Sequence, residues 1–145
     1  MIEKIFKAYD VRATYPNPLN EEAAWKVGHA TGQFLLRSRQ NLPAANRVKM
    51  ENTVCVGRDM RPHSPALAKA LSDGLRSTGL SVIDVGMVDT SFIYFAVNHL
   101  DCVGGIMVTG SHNPPDYNGF KIVVGGETLS EDAIQKLYAR ISESD

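Results

Sequence analysis

Thr109-Gly110-Ser111-His112-Asn113-Pro114-Pro115-Asp116-Tyr117-Asn118-Gly119-Phe120-Lys121 lies between two apolar runs, residues 103–108 and 120–124. An apolar run that stops at turn-forming residues and resumes after them reads as a strand, a loop and a second strand. The prolines at 114 and 115 fix φ and stiffen the middle of the loop. Gly110 and Gly119 permit backbone geometry and close approaches that a side chain would block. If the two runs pair as a hairpin, the chain folds back so that the ammonium of Lys121 can approach the hydroxyl of Ser111. A hydroxyl, the His112 imidazole and a cation then share a small space.

Further strands and helices flank this hairpin. Residues 53–56 form a short apolar strand ending in Gly57-Arg58-Asp59, and residues 81–85 form another. Asn20 is a suitable N-cap, with Glu21 and Glu22 in the first turn and Ala24, Val27, Thr31, Phe34 and Leu35 at helical spacing to about residue 37. Ser64-Pro65 opens a second helix with a stripe of Leu67, Leu71 and Leu75, ended by Gly79. Asp89-Thr90-Ser91 opens a third, whose Phe92, Phe95 and Ala96 are expected to face the sheet. Ser130-Glu131-Asp132 opens a last helix carrying Ile134, Leu137, Tyr138 and Ile141. Pro16 and Pro18 make residues 1–19 irregular after a short extended piece, and residues 38–52 read as a long polar connection. Helices between the first three strands imply parallel, right-handed crossovers, and the direct step to the last strand implies antiparallel pairing. The expected fold class is α/β: one domain over 1–145, a three-layer α/β/α sandwich around a mixed four-stranded sheet with three parallel strands and one antiparallel.

Composition narrows the partners. The 145 residues carry 15 Lys and Arg against 16 Asp and Glu, a formal charge of −1, which provides no global field for nucleic acid or an anionic membrane. No apolar run approaches membrane-spanning length, and the N-terminus lacks a signal-peptide pattern. A soluble, cytoplasmic protein is expected. Cys55 and Cys102 lack metal-ligand spacing and read as reduced, structural thiols, with no zinc site.

The loop at 109–121 is the place to look for chemistry. A serine hydroxyl needs a base or a lowered pKa to act as a nucleophile, and no acyl-transfer elbow of the G-x-S-x-G type is present. Phosphorylated, Ser111 would carry a charge of roughly −1.5 to −2 and three strong acceptor oxygens, which suits a loop rich in N–H groups and bordered by lysine and histidine. On composition alone, a surface turn built from Ser, Asn, Asp and Gly remains the more ordinary explanation. Arg58 sits beyond the carboxyl end of its strand, where ligands of open α/β sheets collect; supporting the loop or a phosphate, and pairing with Asp59, are equal alternatives. Arg12 has the plain alternative of pairing with Asp10. His29 reads as a surface or boundary histidine, and His63 as one that only faces solvent.

The loop closely resembles the catalytic serine loop of the α-D-phosphohexomutases, in particular their phosphomannomutase/phosphoglucomutase branch. The likeness extends to Phe6-Lys7-Ala8-Tyr9-Asp10-Val11-Arg12, to Val56-Gly57-Arg58-Asp59-Met60-Arg61 and to Gly125-Gly126-Glu127-Thr128-Leu129-Ser130. It is poor at residues 13–19, where Ala13 stands in place of the usual glycine, and at 38–52. It covers the first of the family's four domains.

This resemblance implies a mutase moving a phosphoryl group between the 1 and 6 positions of a hexose, mannose or glucose, through a phosphoserine and a bisphosphorylated sugar. Ser111 is then phosphoryl donor and acceptor, with His112, Lys121 and Arg12 as catalytic partners in acid–base and charge-stabilising roles. Tyr9, Arg12, Asn113 and Lys121 bind substrate or organise the loop. The implied cofactor is Mg²⁺, touched here only by the phosphate on Ser111, its other ligands being in domains this chain lacks. The expected partners are a hexose phosphate and the remaining domains, with no nucleic acid and no membrane. Phosphomonoester chemistry needs up to about 10²¹-fold acceleration, so the isolated domain is expected to be inactive. A phosphoglucosamine mutase domain and a non-catalytic binding module are the alternatives.

Overall fold

The computed structural model describes residues 11–17, 19–40, 50–100, 102–110, 113–124 and 127–128. Among the described residues, nine elements follow one another: β1 (Val11–Thr14), α1 (Glu21–Gln40), β2 (Met50–Arg58), α2 (Ser64–Arg76), β3 (Ser81–Met87), α3 (Thr90–His99), β4 (Cys102–Val108), β5 (Tyr117–Val124) and β6 (Glu127–Thr128). The expected last helix, 130–141, lies outside the described residues.

The capping residues act as their chemistry predicts at α1 and α3. Asn20 Oδ1 accepts the Ala23 N–H at 2.9 Å, and Asp89 Oδ1 accepts the Phe92 N–H at 3.0 Å, each satisfying a donor the helix cannot. At α2 the N-cap position is His63, which makes no side-chain cap bond. Ser64, the expected cap, is the first helical residue, and its hydroxyl donates to Asp59. Beyond α2, Gly79 takes φ +99°, a left-handed turn that ends the helix and that a residue with Cβ rarely adopts.

The sheet is larger than the four strands expected. Among the described residues, five strands run in the order β1-β5-β4-β2-β3, and the two-residue β6 pairs with β5. The strand missing from the sequence reading is β1: Pro16 and Pro18 fall just past its last residue and so do not interrupt it. The parallel pairs β2–β3 and β2–β4 are as expected. β5 is antiparallel to both β4 and β1, and it stands between them. Ala13 is an ordinary buried strand residue facing Asn118 in the register.

Side chains alternate between two covered faces. Val54, Val56, Ile106, Val108, Phe120 and Ile122 join Val27 and Leu35 of α1 and Leu67, Leu71 and Leu75 of α2 in the larger core. Met107 and Val123 point the other way, against Ile93 and Val97 of α3, and Cys55 meets Ala96 there. α3 turns differently from expectation. Ile93, Ala96 and Val97, spaced i, i+3 and i+4, form its buried stripe, while Phe92 and Phe95 are 41% and 57% exposed and Phe95 stacks on His99.

α1 and α2 cross at glycines, Gly28 against Leu71 and Gly74 against Trp25, and Gly32 meets Thr78 just past the end of α2. His29 bridges the same pair, its Nδ1 2.7 Å from Ser77 Oγ and its ring stacked on Trp25. Cys55 and Cys102 are buried thiols outside any disulfide, hydrogen-bonded to each other with their sulfurs 3.0 Å apart. Among the described residues, no helix is long and apolar enough to cross a membrane.

Candidate functional site

Parallel pairing of β2 and β4 brings the segment after β2 against the start of the serine loop. Arg58 lies opposite Val108 in the register, the Asp59 N–H donates to the Val108 carbonyl at 2.9 Å, and the Thr109 N–H donates to the Gly119 carbonyl at 2.9 Å. The polar residues of Gly57-Arg58-Asp59-Met60-Arg61 therefore emerge at the carboxyl ends of the strands, where sites form in open α/β sheets. An open cleft of about 440 Å³ lies here, lined by Asp59, Met60, Met87, Asp89, Met107 and Thr109 among others.

Asp59 and Arg61 grip the loop on both sides of Ser111 and His112. Asp59 Oδ2 accepts the Gly110 N–H at 2.9 Å and the Arg61 Nε–H at 3.2 Å, and Oδ1 accepts the Arg61 backbone N–H at 3.1 Å. The Arg61 guanidinium, 9% exposed, donates through Nη2 to the Asn113 carbonyl at 2.9 Å. Through Nη1 it donates to the carbonyls of Pro114 and Tyr117. Burial by itself would raise the Asp59 carboxyl, but hydrogen bonds from Ser64, Gly110, Arg61 and Thr109 outweigh it and hold the group below the ordinary carboxylate value.

A second set of bonds fixes the returning limb. The Gly119 N–H donates to Asn118 Oδ1 at 2.8 Å, which assigns the other end of that fully buried amide as Nδ2. It donates to Ser64 Oγ at 2.8 Å and to His63 Nδ1 at 2.8 Å. His63 Nδ1 is therefore an acceptor, and its proton sits on Nε2, which donates to the Pro115 carbonyl at 3.2 Å. The ring stacks on Tyr15 with centroids 4.7 Å apart. His63 is thus a partner of the loop, a correction to its reading as a solvent-facing histidine.

The predicted site residues are placed as follows. Asn113 directs its amide to the Gly110 carbonyl at 3.0 Å, and its own N–H donates to the same oxygen at 3.0 Å. Lys121 is half-buried on β5, opposite Met107 in the register, hence on the sheet face that carries α3. Arg12 is on β1 with its backbone opposite Gly119, so the N-terminal strand borders the returning limb of the serine loop. Ser111, His112 and Tyr9 lie outside the described residues. The Arg58 guanidinium pairs with Asp84 of β3 at 3.4 Å, not with Asp59, and lines a separate cleft with Lys69 and Arg76. Sequence reasoning passed over Asp59 and Arg61 as loop partners, and also His63 and Asn118. A sign was available in an aspartate two residues before an arginine at a strand's carboxyl end.

A family model for the α/β/α domain I of phosphoglucomutase/phosphomannomutase matches residues 3–145. The chain belongs to this family. Among its curated relatives, the phosphomannomutase/phosphoglucomutase of Pseudomonas aeruginosa is 47% identical over 141 residues, 97% of this chain and 28% of the relative. A phosphoglucomutase of Neisseria gonorrhoeae is 42% identical over 96% of this chain and 28% of its own length. A crystal structure of a phosphoglucomutase/phosphomannomutase family protein from Burkholderia thailandensis superposes with a TM-score of 0.82 at 41% identity, covering 98% of this chain and 30% of that one. The domain I sequence described here thus spans about 28% of the length of the curated relatives it matches.

Proposed function

We propose that this domain supplies the phosphoryl-carrying serine of a phosphohexomutase that interconverts hexose 1-phosphate and hexose 6-phosphate, with mannose and glucose as the sugars. The observation that carries the reading is the anchoring of the Ser111 loop. Asp59 and Arg61 hold its two flanks in a chain that belongs to the mutase family along nearly its whole length. Phosphoryl transfer demands little covalent chemistry from the protein beyond positioning and charge neutralisation, and a stiff, anchored loop meets the first demand.

In this scheme a sugar hydroxyl oxygen forms a new O–P bond as the Ser111 Oγ–P bond breaks, and the hydroxyl proton passes to a base. The serine oxygen keeps the electron pair of the broken bond. It then takes a phosphoryl group back from the other end of the bisphosphorylated sugar, so the protein ends as it began. His112 and Lys121 are the acid–base and charge-stabilising groups, Arg12 a further catalytic and phosphate-binding group, and Tyr9 and Asn113 organise substrate and loop. The activity belongs to the domain together with the rest of a longer mutase, and the domain by itself turns over negligibly. The cytoplasm is the compartment proposed.

Mg²⁺ is the proposed cofactor, where it would offset phosphate charge. Among the described residues, no group of three or more His, Cys, Asp or Glu could hold a metal ion, so these residues do not fit a complete Mg²⁺ site. The phosphate on Ser111 is the ligand this domain would contribute, and no step above runs through the metal.

The test is mass analysis of Ser111 after exposure of the full mutase chain to hexose 1,6-bisphosphate, together with the Ser111→Ala variant. Phosphate on the Ser111 peptide and loss of isomerisation in the variant are expected. Unphosphorylated Ser111 with full activity in the variant overturns the proposal.

A further inference from the structure

We infer that Arg61, held by Asp59, is a positioning residue for the serine loop: its guanidinium sets the loop's curvature by binding several inward-turned carbonyls at once. This rests on the reading of Ser111 as the phosphoryl carrier. Its contacts with Asn113, Pro114 and Tyr117 are all to backbone carbonyls, so its role runs through the loop backbone.

The need for such a group follows from the loop's own sequence. Pro114 and Pro115 contribute carbonyls but no N–H groups, so the loop cannot close on itself as a ladder of backbone bonds. Its oxygens at Asn113, Pro114 and Tyr117 converge on a single cation. A planar guanidinium with donors along three edges can bond oxygens in several directions, whereas a lysine ammonium is a point charge on a flexible stem. The acidic partner is equally specific. One carboxylate, Asp59, orients the guanidinium through Nε and also takes the N–H of Gly110. One ion pair therefore fixes the backbone on both sides of Ser111 and His112. Gly110 leaves room for this: a Cβ there would stand 2.2 Å from Arg61 Cζ.

His63 extends the grip, its Nδ1 meeting the Asn118 amide and its Nε2 the Pro115 carbonyl. Asp59, Arg61 and His63 alternate along the segment between β2 and α2. The loop that carries Ser111 is thus located by a neighbouring connection as well as by its own hairpin.

Arg61→Ala and Arg61→Lys test the inference through two readouts. The first is hydrogen exchange at the Gly110, Asn113 and Tyr117 amides of this chain, with the Leu75 amide in α2 as internal reference. Both variants are expected to speed loop exchange about tenfold or more, the loss expected for charged hydrogen bonds, while leaving Leu75 unchanged. The second is kinetics of the full mutase chain. Both are expected to lower kcat about 100-fold, the cost of roughly 1 Å of misplacement at a reacting centre, with KM for hexose 1-phosphate little changed. Wild-type exchange in the loop of either variant overturns the inference. So does accelerated loop exchange with kcat retained. If Arg61→Ala does not fold, Arg61→Lys, which keeps a cation opposite Asp59, decides by the same readouts. Failure of Ser111 to take phosphate in the wild type sinks the phosphoserine reading instead, and the exchange arm still reports on the clamp.

Discussion

Gly28 of α1 faces the Leu71 carbonyl of α2 so closely that a Cβ built on it would lie 2.1 Å from that oxygen. The contact is reciprocated by Gly74, whose Cβ would lie 2.2 Å from the Trp25 carbonyl oxygen. Backbone cannot swing aside as a flexible side chain can, so Gly28→Ala must push the helices apart. The alanine gains roughly 1 kcal/mol of helix propensity, but overpacking a fitted contact costs about 1–3 kcal/mol, and parting the helices loosens the leucine core beneath. We expect a lower urea midpoint for Gly28→Ala. A midpoint at or above wild type would show that the helices re-pack freely.

Gly110→Ala acts on the loop, not the core. The added methyl group collides with the Arg61 guanidinium and displaces it from Asp59 and the loop carbonyls. The Arg61 Nε–H, bonded to Asp59 in the native protein, is expected to lose its protected nitrogen-15 NMR signal while the signals of α1 and α2 stay in place. An unmoved, protected Nε–H resonance would refute the expectation.

Asp59 gives the fold an acid-sensitive component. Its carboxyl is held below the ordinary value in the folded state, so its stabilising contribution is complete above the unfolded-state value of about 3.9. It disappears as pH falls through the lower folded-state value, because protonation removes an acceptor for Gly110 and Arg61. Asp59→Asn, which has no such titration, is expected to be less stable than wild type at neutral pH, with a difference that narrows in acid. Urea unfolding of both proteins between pH 7 and strongly acidic conditions measures this. A difference independent of pH would contradict it.

The Cys55 thiol is pushed up to about 12, first by burial and then by its hydrogen bond with Cys102. Only the thiolate is reactive, so at pH 8 the native protein is expected to resist iodoacetamide at Cys55 until it unfolds. Labelling in native buffer at the rate seen in denaturant would show that the sulfur is accessible and ionised.

Much of this molecule was legible where one residue type imposes one geometry. Asn20 and Asp89 announced their helices, Leu67, Leu71 and Leu75 their buried stripe, and the interrupted apolar runs the β4–β5 hairpin. The family resemblance was carried by ordered motifs and proved correct. Elements decided by distant pairing were not legible. Val11–Thr14 has no pattern of its own and becomes a strand because β5 offers it an edge. Phe92 and Phe95 looked like core residues by type, yet Ile93, Ala96 and Val97 hold the buried positions because the helix phase is set by contact with β4. Within the site, the turn to which Asn113 belongs could be read from the loop alone. The roles of Arg61, His63 and Asn118 could not, since each depends on bonds spanning more than fifty positions of sequence.

Because β5 stands between β1 and β4, Val11–Thr14 has its partner more than a hundred residues further along the polypeptide. At about 5–20 residues per second, Val11–Thr14 waits roughly 5–20 s before Tyr117–Val124 is made. A chain released after β4 would therefore have α1, α2 and the parallel strands available to assemble while Val11–Thr14 still lacked a mate. Closure of the sheet on that side is a late event in biosynthesis, timed by the arrival of the same hairpin that bears the serine.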